Sequence, residues 1–150
     1  MAIAVGDQAP DFELPSSQGG TVRLQDLRGQ AVVVFFYPKD DTPGCTMEVC
    51  GFRDNLAQFQ TLGATVLGIS EDDLESHLGF AANHNLPFPL VEYVGNGVGF
   101  RFGVPSAMFL PGRVTYVIDG EGVVRLVFNA LLNAKAHVQE ARACLEQLAR

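Results

Sequence analysis

The sequence of 150 residues is poor in cysteine and has no long apolar run. Its three cysteines are an odd number and too few for the disulfide scaffold of a small secreted domain. The longest apolar run, residues 31–37, is far shorter than the roughly 20 residues of a membrane-spanning helix, and it suits a buried strand instead. We therefore expect a soluble protein whose thiols are free, metal-bound or redox-active.

Basic residues are scarce as well. Ten lysines and arginines stand against 17 aspartates and glutamates, and the net charge of −7 opposes binding to nucleic acid or to an anionic membrane. Residues 1–7 lack the basic region, the apolar segment and the Arg/Ser-rich pattern of a targeting peptide. The expected location is a reducing cytoplasm, and neither nucleic acid nor a membrane is an expected partner.

Length and composition predict a single folded domain over residues 1–150. Hydrophobic residues make up 47% of the chain and charged residues 18%, which excludes an intrinsically disordered protein. The sequence has no linker, internal repeat or low-complexity segment, and its length is sufficient to bury a sizeable core.

Hydrophobic periodicity predicts alternating strands and helices. Strands are expected at 12–14, 21–24, 31–37, 64–69, 86–91, 114–118 and 123–128, and helices at 46–63, 70–85 and 135–148. Ser70, with Asp73 three residues later, has the pattern of a helix cap. The last helix carries one apolar stripe made of Val138, Ala141, Leu145 and Leu148. This order predicts an α/β sandwich with a mixed central sheet flanked by helices, preceded by an N-terminal β-hairpin.

Cys45 occupies the position with the clearest chemical meaning. It follows a turn-rich loop, 38–44, that connects the predicted central strand to a helix. Ligand sites in open α/β sheets commonly lie beyond the carboxyl ends of the strands. The unpaired N–H groups and the dipole at the start of a helix favour a thiolate, which is the nucleophilic form of cysteine.

A thiolate at this position would be stabilised by a nearby cation, and the sequence contains few candidates. The sequence has no lysine or arginine between Asp54 and Phe100. Lys39 lies in the loop itself, Arg53 lies on the same helix, and Arg113 directly precedes a strand whose start could lie beside the loop in a mixed sheet. Thr42, three residues before Cys45, can place a hydroxyl near the sulfur.

Cys50 lies five residues beyond Cys45 on the predicted helix. In a regular helix this spacing gives a rotation of about 140° and a Cα separation of about 8.7 Å. A disulfide tolerates no more than about 7 Å, so the two thiols can react only if the helix unwinds locally. Gly51 makes unwinding easier, since glycine weakens a helix by about 1 kcal/mol relative to alanine.

The residues around Cys45 match the active-site pattern of a known family. Pro38, Thr42 and Cys45 have the spacing Pro, three residues, Thr, two residues, Cys, which resembles the peroxiredoxins. Residues 36–46, followed by Glu48 and Cys50, are similar to the Q type of that family, also called bacterioferritin comigratory protein. Three further segments carry the resemblance over nearly the whole chain, namely 6–12, 85–90 and 110–119.

The resemblance implies a fold, an activity and roles for particular residues. It implies a thioredoxin fold, peroxide as substrate, no metal or organic cofactor, and thioredoxin or a similar dithiol protein as the reductant. Cys45 would be the peroxidatic cysteine and Cys50 the resolving cysteine, while Pro38, Thr42 and Arg113 would form the pocket that shields and activates the sulfur. A monomeric state is expected.

The remaining cysteine and the histidines have structural interpretations, and the chain has alternative functions. Cys144 is expected to be core filler on the last helix, and His77 and His84 are expected to be solvated. The cysteines and histidines do not have the spacing of a zinc site. A thioredoxin-like reductase is disfavoured because Cys-x-x-Cys is absent, and a redox sensor or holdase that uses the same thiol switch is the alternative function.

One segment departs from the bacterial members of the family. Residues 93–109 contain no tryptophan and are unusually apolar, whereas residues 112–113 together with 123–129 are more similar to the plant and cyanobacterial members. A mature plastid form is the alternative to a cytoplasmic protein.

Overall fold

A computed structural model describes residues 3–92, 102, 106–107, 110–111 and 113–149, in which strands and helices alternate as the sequence predicts. The strands are β1 (Glu13–Pro15), β2 (Thr21–Arg23), β3 (Ala31–Phe36), β4 (Ala64–Ser70), β5 (Leu90–Glu92), β6 (Ser106–Ala107), β7 (Leu110–Pro111), β8 (Val114–Ile118) and β9 (Val124–Asn129). The helices are α1 (Pro43–Asp54), α2 (Leu56–Thr61), α3 (Leu74–His84) and α4 (Ala134–Leu148), and a 3-10 turn covers Leu24–Leu27.

Five strands form a mixed central sheet in the order β5-β4-β3-β8-β9. The strands β3, β4 and β5 run parallel to one another, whereas β8 is antiparallel to both of its neighbours, β3 and β9. The strands β1 and β2 pair separately as an antiparallel hairpin. The mixed sheet and the N-terminal hairpin are therefore confirmed.

The strand β3 lies at the centre of the sheet and is buried on both faces. Val32, Val34 and Phe36 belong to one hydrophobic cluster, which the N-terminal segment covers. Val33 and Phe35 belong to a second cluster, to which all four helices contribute side chains. Right-handed crossovers from β3 to β4 and from β4 to β5 place α1, α2 and α3 on the same face. The loop that follows β3 leads directly into α1, the first helix of this layer.

The helix after β3 begins earlier than predicted and is interrupted. It starts at Pro43, and proline suits the first helical position because its missing N–H would be unpaired there in any case. It ends at Asp54, and a second helix starts at Leu56. The side-chain amide of Asn55 donates to the Gly51 carbonyl at 2.8 Å. Such a side chain competes with the backbone N–H groups for helix carbonyls, which favours the end of a helix. The prediction of one continuous helix over 46–63 was wrong.

Two details of the later helices also differ from prediction. Asp73, and not Ser70, caps α3, because its carboxylate accepts a hydrogen bond from the Ser76 N–H at 2.8 Å. Ser70 is the last residue of β4. Leu148, predicted to share the buried stripe of α4, is 40% exposed, although the other three members of the stripe are buried.

The apolar segment 93–109 lies outside the described residues, apart from 102 and 106–107. No helix in the described part of the chain is long and apolar enough to cross a membrane.

Candidate active site

Cys45 is the third residue of α1, so the prediction that its sulfur lies at a helix N-terminus is confirmed. The residue is only 1% exposed. It lines a cavity of about 290 Å³ together with Pro38, Lys39, Thr42, Gly44, Arg113, Leu131, Leu132 and Ala134. The structure thus brings together four of the five predicted site residues, Pro38, Thr42, Cys45 and Arg113.

Arg113, the residue just before β8, reaches the sulfur of Cys45. Its Nη2 donates to Sγ of Cys45 at 3.4 Å, its Nη1 donates to Oε1 of Glu48 at 2.7 Å, and its Nε donates to the Leu131 carbonyl at 2.8 Å. Three acceptors therefore fix the plane of the guanidinium. A Cβ at position 44 would come within 3.1 Å of Nη2, so the glycine there leaves room for the arginine.

Register explains how Arg113 arrives at this place. In the antiparallel pair, Phe36 at the end of β3 lies opposite Val114 at the start of β8. The residue just before β8 therefore lies beside the loop just after β3. This is the arrangement predicted for Arg113 from the position of its strand.

The other two candidate cations do not contact the sulfur. Arg53 donates to the carboxylate of Asp54 at 2.9 Å and to the carbonyl of His84 at 2.8 Å. Lys39 is exposed and borders the cavity. The hydroxyl of Thr42 donates to the Lys39 backbone carbonyl at 2.9 Å. This hydrogen bond uses the one proton of the Thr42 hydroxyl.

Glu48 is a member of the site that sequence reasoning did not assign. It is fully buried one turn after Cys45 on α1, and that spacing, with the shared helix face it implies, was the available signal. Burial raises the pKa of Glu48 to about 8, against the opposing influence of Arg113. Burial thus opposes the charged form of Glu48, while the guanidinium of Arg113, 2.7 Å away, favours it.

His137 lies behind Glu48 and was also missed. Its Nε2–H donates to the Ala130 carbonyl at 2.7 Å, and its Nδ1 is 2.7 Å from the hydroxyl of Thr115. Burial lowers the pKa of His137 to about 4, and the charge of Arg113 acts in the same direction. The imidazole is consequently neutral, and its Nδ1 lies 3.5 Å from Oε2 of Glu48, an atom without a hydrogen-bond partner among the described residues.

The loop before Cys45 is anchored by a buried carboxylate. Asp40 accepts hydrogen bonds from the hydroxyls of Tyr37 at 2.6 Å and Ser76 at 2.8 Å, and its Oδ2 is 2.8 Å from Nδ1 of His77. His77 is fully buried, so the prediction that it is solvated was wrong. Burial and the charge of Asp40 raise the pKa of Tyr37 well above its ordinary value.

Cys50 lies on the other side of α1, away from this cavity. It is half-buried and borders a separate cleft of about 460 Å³ between α1 and α4. All three cysteines are free thiols, and Cys45 and Cys50 share one helix, so the long separation expected of a regular helix applies. Cys144 packs at the edge of the core, and burial raises the pKa of its thiol.

Within the described ranges, no group of three or more histidine, cysteine or acidic side chains is arranged to hold a metal ion.

Comparison with known proteins gives consistent matches. The model of the AhpC/TSA family matches residues 5–127. Peroxiredoxin Q of Sedum lineare, a chloroplastic protein, is 45% identical over 148 residues, which cover 97% of this chain and 80% of the relative.

Two solved structures are similar to the fold described above. Peroxidoxin BcpB of Mycobacterium tuberculosis superposes with a TM-score of 0.90 at 36% identity, covering 97% of this chain and 98% of that one. The bacterioferritin comigratory protein of Xanthomonas campestris, described for its alkyl peroxide reduction activity, superposes with a TM-score of 0.83 at 31% identity, covering 93% and 92%.

Proposed function

The chain belongs to the AhpC/TSA family, as a peroxiredoxin of the Q type, and from that premise we propose that Cys45 is its peroxidatic cysteine and Cys50 its resolving cysteine. The protein is a thiol peroxidase with a thioredoxin fold. The comparisons do not favour the alternative of a redox sensor or holdase.

The observation that carries the role of Cys45 is the hydrogen bond from Arg113 to its sulfur at 3.4 Å. A thiolate held by this guanidinium and by the N-terminus of α1 is a strong nucleophile. It attacks one oxygen of the peroxide, the O–O bond breaks, and Cys45 becomes a sulfenic acid as water or an alcohol leaves.

The surrounding residues support this step in different ways. The Arg113 guanidinium stabilises negative charge on the departing oxygen, and the Thr42 hydroxyl does so by turning its proton from the Lys39 carbonyl to that oxygen. Pro38 lines the cavity and has no backbone N–H that could bind water there. It therefore helps to keep water from the sulfur. A preorganised polar site of this kind needs no reorganisation when the peroxide bond breaks.

We propose hydrogen peroxide and organic hydroperoxides as substrates. The cavity of about 290 Å³ is bordered by Leu131, Leu132 and Ala134, which offer apolar surface to an alkyl group. The alkyl peroxide reduction activity of the Xanthomonas campestris relative supports the same substrate class.

The catalytic cycle is completed by a second thiol and an external reductant. The Cys45 sulfenic acid condenses with Cys50 after α1 unwinds locally, and water leaves. Thioredoxin or a similar dithiol protein then exchanges with the disulfide, and the helix re-forms. We propose a monomer in a reducing compartment, with the cytoplasm as the first location to examine and the plastid of its chloroplastic relatives as the second.

A peroxidase assay with cysteine variants tests these roles. With a thioredoxin system supplying electrons, Cys45→Ser should lose turnover of hydrogen, cumene and tert-butyl hydroperoxides, whereas Cys144→Ser should retain it. Cys50→Ser should form a sulfenic acid that dimedone traps, but no intramolecular disulfide. Normal turnover by Cys45→Ser would refute the role of Cys45, and a disulfide to Cys144 in the Cys50 variant would transfer the resolving role to that residue.

A further inference from the structure

Cys50 lies against a histidine that the cycle described above does not use. Its Sγ is 3.7 Å from Nδ1 of His84, which is within reach of a hydrogen bond to sulfur. The two side chains come from different helices, Cys50 from α1 and His84 from the last turn of α3. The contact therefore spans the boundary between the helix that must unwind and one that need not.

The imidazole is held in place from two sides. The ring of Phe80 packs edge-on against it, with the centroids 5.0 Å apart and the planes at 84°. Nη1 of Arg53, on the same helix as Cys50, donates to the His84 carbonyl at 2.8 Å. Asn85, at a φ of 52°, closes α3 directly after the histidine. The position of Nδ1 near the thiol is thus set by packing and by the end of the helix.

Resting on the proposed role of Cys50 as resolving thiol, we propose that His84 is the general base of the resolving step. With its own proton on Nε2, the imidazole accepts the Cys50 thiol proton on Nδ1. The Cys50 thiolate then attacks the Cys45 sulfur of the sulfenic acid. The S–S bond forms, the S–OH bond breaks, and hydroxide leaves and is protonated to water by the imidazolium or by solvent. Cys50 is oxidised and the Cys45 sulfur is reduced.

The local charges favour this proton transfer. The imidazolium forms at the C-terminus of α3, where the helix dipole stabilises a cation. Arg53, on the same helix, interacts electrostatically with Cys50, and Asp54, Lys135 and Arg142 line the cleft that Cys50 borders. Arg53 itself pairs with Asp54, and Arg142 pairs with Glu146. His84 can also keep the proton while Cys50 moves away, because it belongs to α3.

Single-turnover kinetics test the assignment. Reduced protein is mixed with one equivalent of hydrogen peroxide, quenched at intervals and analysed by intact mass spectrometry, which separates the sulfenic acid from the disulfide. His84→Phe keeps the ring contact with Phe80 and removes the base, and His84→Gln keeps a polar side chain without one. Asn83→Ala, at the exposed neighbouring position of α3, is the matched control.

We expect both His84 variants to form the sulfenic acid at the wild-type rate. Disulfide formation should be about ten- to thirtyfold slower at about pH 7, because an ordinary cysteine thiol is only about 3% ionised there. The difference should vanish above about pH 9, where solvent ionises the thiol without help. The Asn83 variant should match wild type throughout.

Two results would overturn the assignment. One is disulfide formation at the wild-type rate at every pH in both variants. The other is a slowing that is equal at every pH, which would mean that His84 only supports the structure. Neither result would touch the role of Cys50, which the Cys50→Ser variant decides separately by whether the disulfide forms at all.

Discussion

Arg113 and Cys45 are 68 positions apart in the chain, yet the guanidinium of one donates to the sulfur of the other at 3.4 Å. The register of β8 against β3 brings the two backbones together, and the bond from Nε to the Leu131 carbonyl orients the guanidinium. The long arginine side chain is therefore fixed before any substrate arrives, as electrostatic stabilisation of a transition state requires.

Replacing Arg113 should slow the peroxidatic step. In Arg113→Met we expect the rate constant for sulfenic acid formation to fall by a factor on the order of 10² to 10³, since the thiolate and the departing oxygen both lose their cation. Stopped-flow measurement of a single turnover gives this constant. Arg125→Met is the matched control, because Arg125 is exposed on β9 and pairs with Asp119. An Arg113 variant as fast as this control would remove Arg113 from the mechanism.

Glu48 should make the protein less stable in alkaline solution. The folded-state pKa of about 8 lies above the ordinary value of 4.5, so the folded protein binds more protons than the unfolded chain between these values, and stability falls as the pH rises through about 8. From about pH 6 to about pH 9, wild type should lose about 3 kcal/mol more than Glu48→Gln, whose amide does not titrate. Urea unfolding at a series of pH values measures the difference, and parallel curves for the two proteins would contradict it.

His137 should make the folded protein less stable in acid. Its folded-state pKa of about 4 lies below the ordinary 6.5, so the unfolded chain binds more protons in that interval, and stability is lost as the pH falls from about 6.5 to about 4. In His137→Gln the amide can still donate to Ala130, and up to about 3 kcal/mol of the acid-dependent loss should disappear. The same unfolding experiment detects this. A wild-type acid dependence in the variant would place the titrating group elsewhere.

Gly51 should set the speed at which α1 opens. A Cβ at this position would come within 3.1 Å of Val138 on α4, so alanine is introduced in a Val138→Ala background to relieve the contact. Because alanine favours a helix by about 1 kcal/mol over glycine, disulfide formation should be about fivefold slower in the double variant than in Val138→Ala alone. Rapid quench gives the rate. Far-ultraviolet circular dichroism should show a loss of helix on oxidation, and equal rates in the two proteins would mean that the helix does not have to open at Gly51 before Cys50 attacks.

Much of this architecture follows from local sequence patterns. Periodicity located the strands of the central sheet and the main helices, because each segment buries one face or two. The scarcity of cations made Arg113 one of three candidates, and its choice among them rested on the resemblance to the peroxiredoxins. The start of α1 was missed because Pro43 and Gly44 favour turns, although proline is equally suited to the first turn of a helix.

The buried ionisable residues could not be predicted in this way. His77 lies on a helix with many exposed residues, and its burial depends on Asp40, 37 positions earlier in the chain. The spacing of Glu48 from Cys45 places both on one face of α1, but its contact with His137 becomes visible only when α1 and α4 are packed together. Contacts between residues far apart in the chain leave no local sequence pattern.

The helix α3 contacts both the loop of Cys45 and Cys50 itself. Ser76 and His77 in its first turn bind Asp40 in that loop, and His84 in its last turn contacts Cys50. In the proposed cycle α1 opens and closes while α3 stays folded, so the opened segment refolds against a surface that already exists.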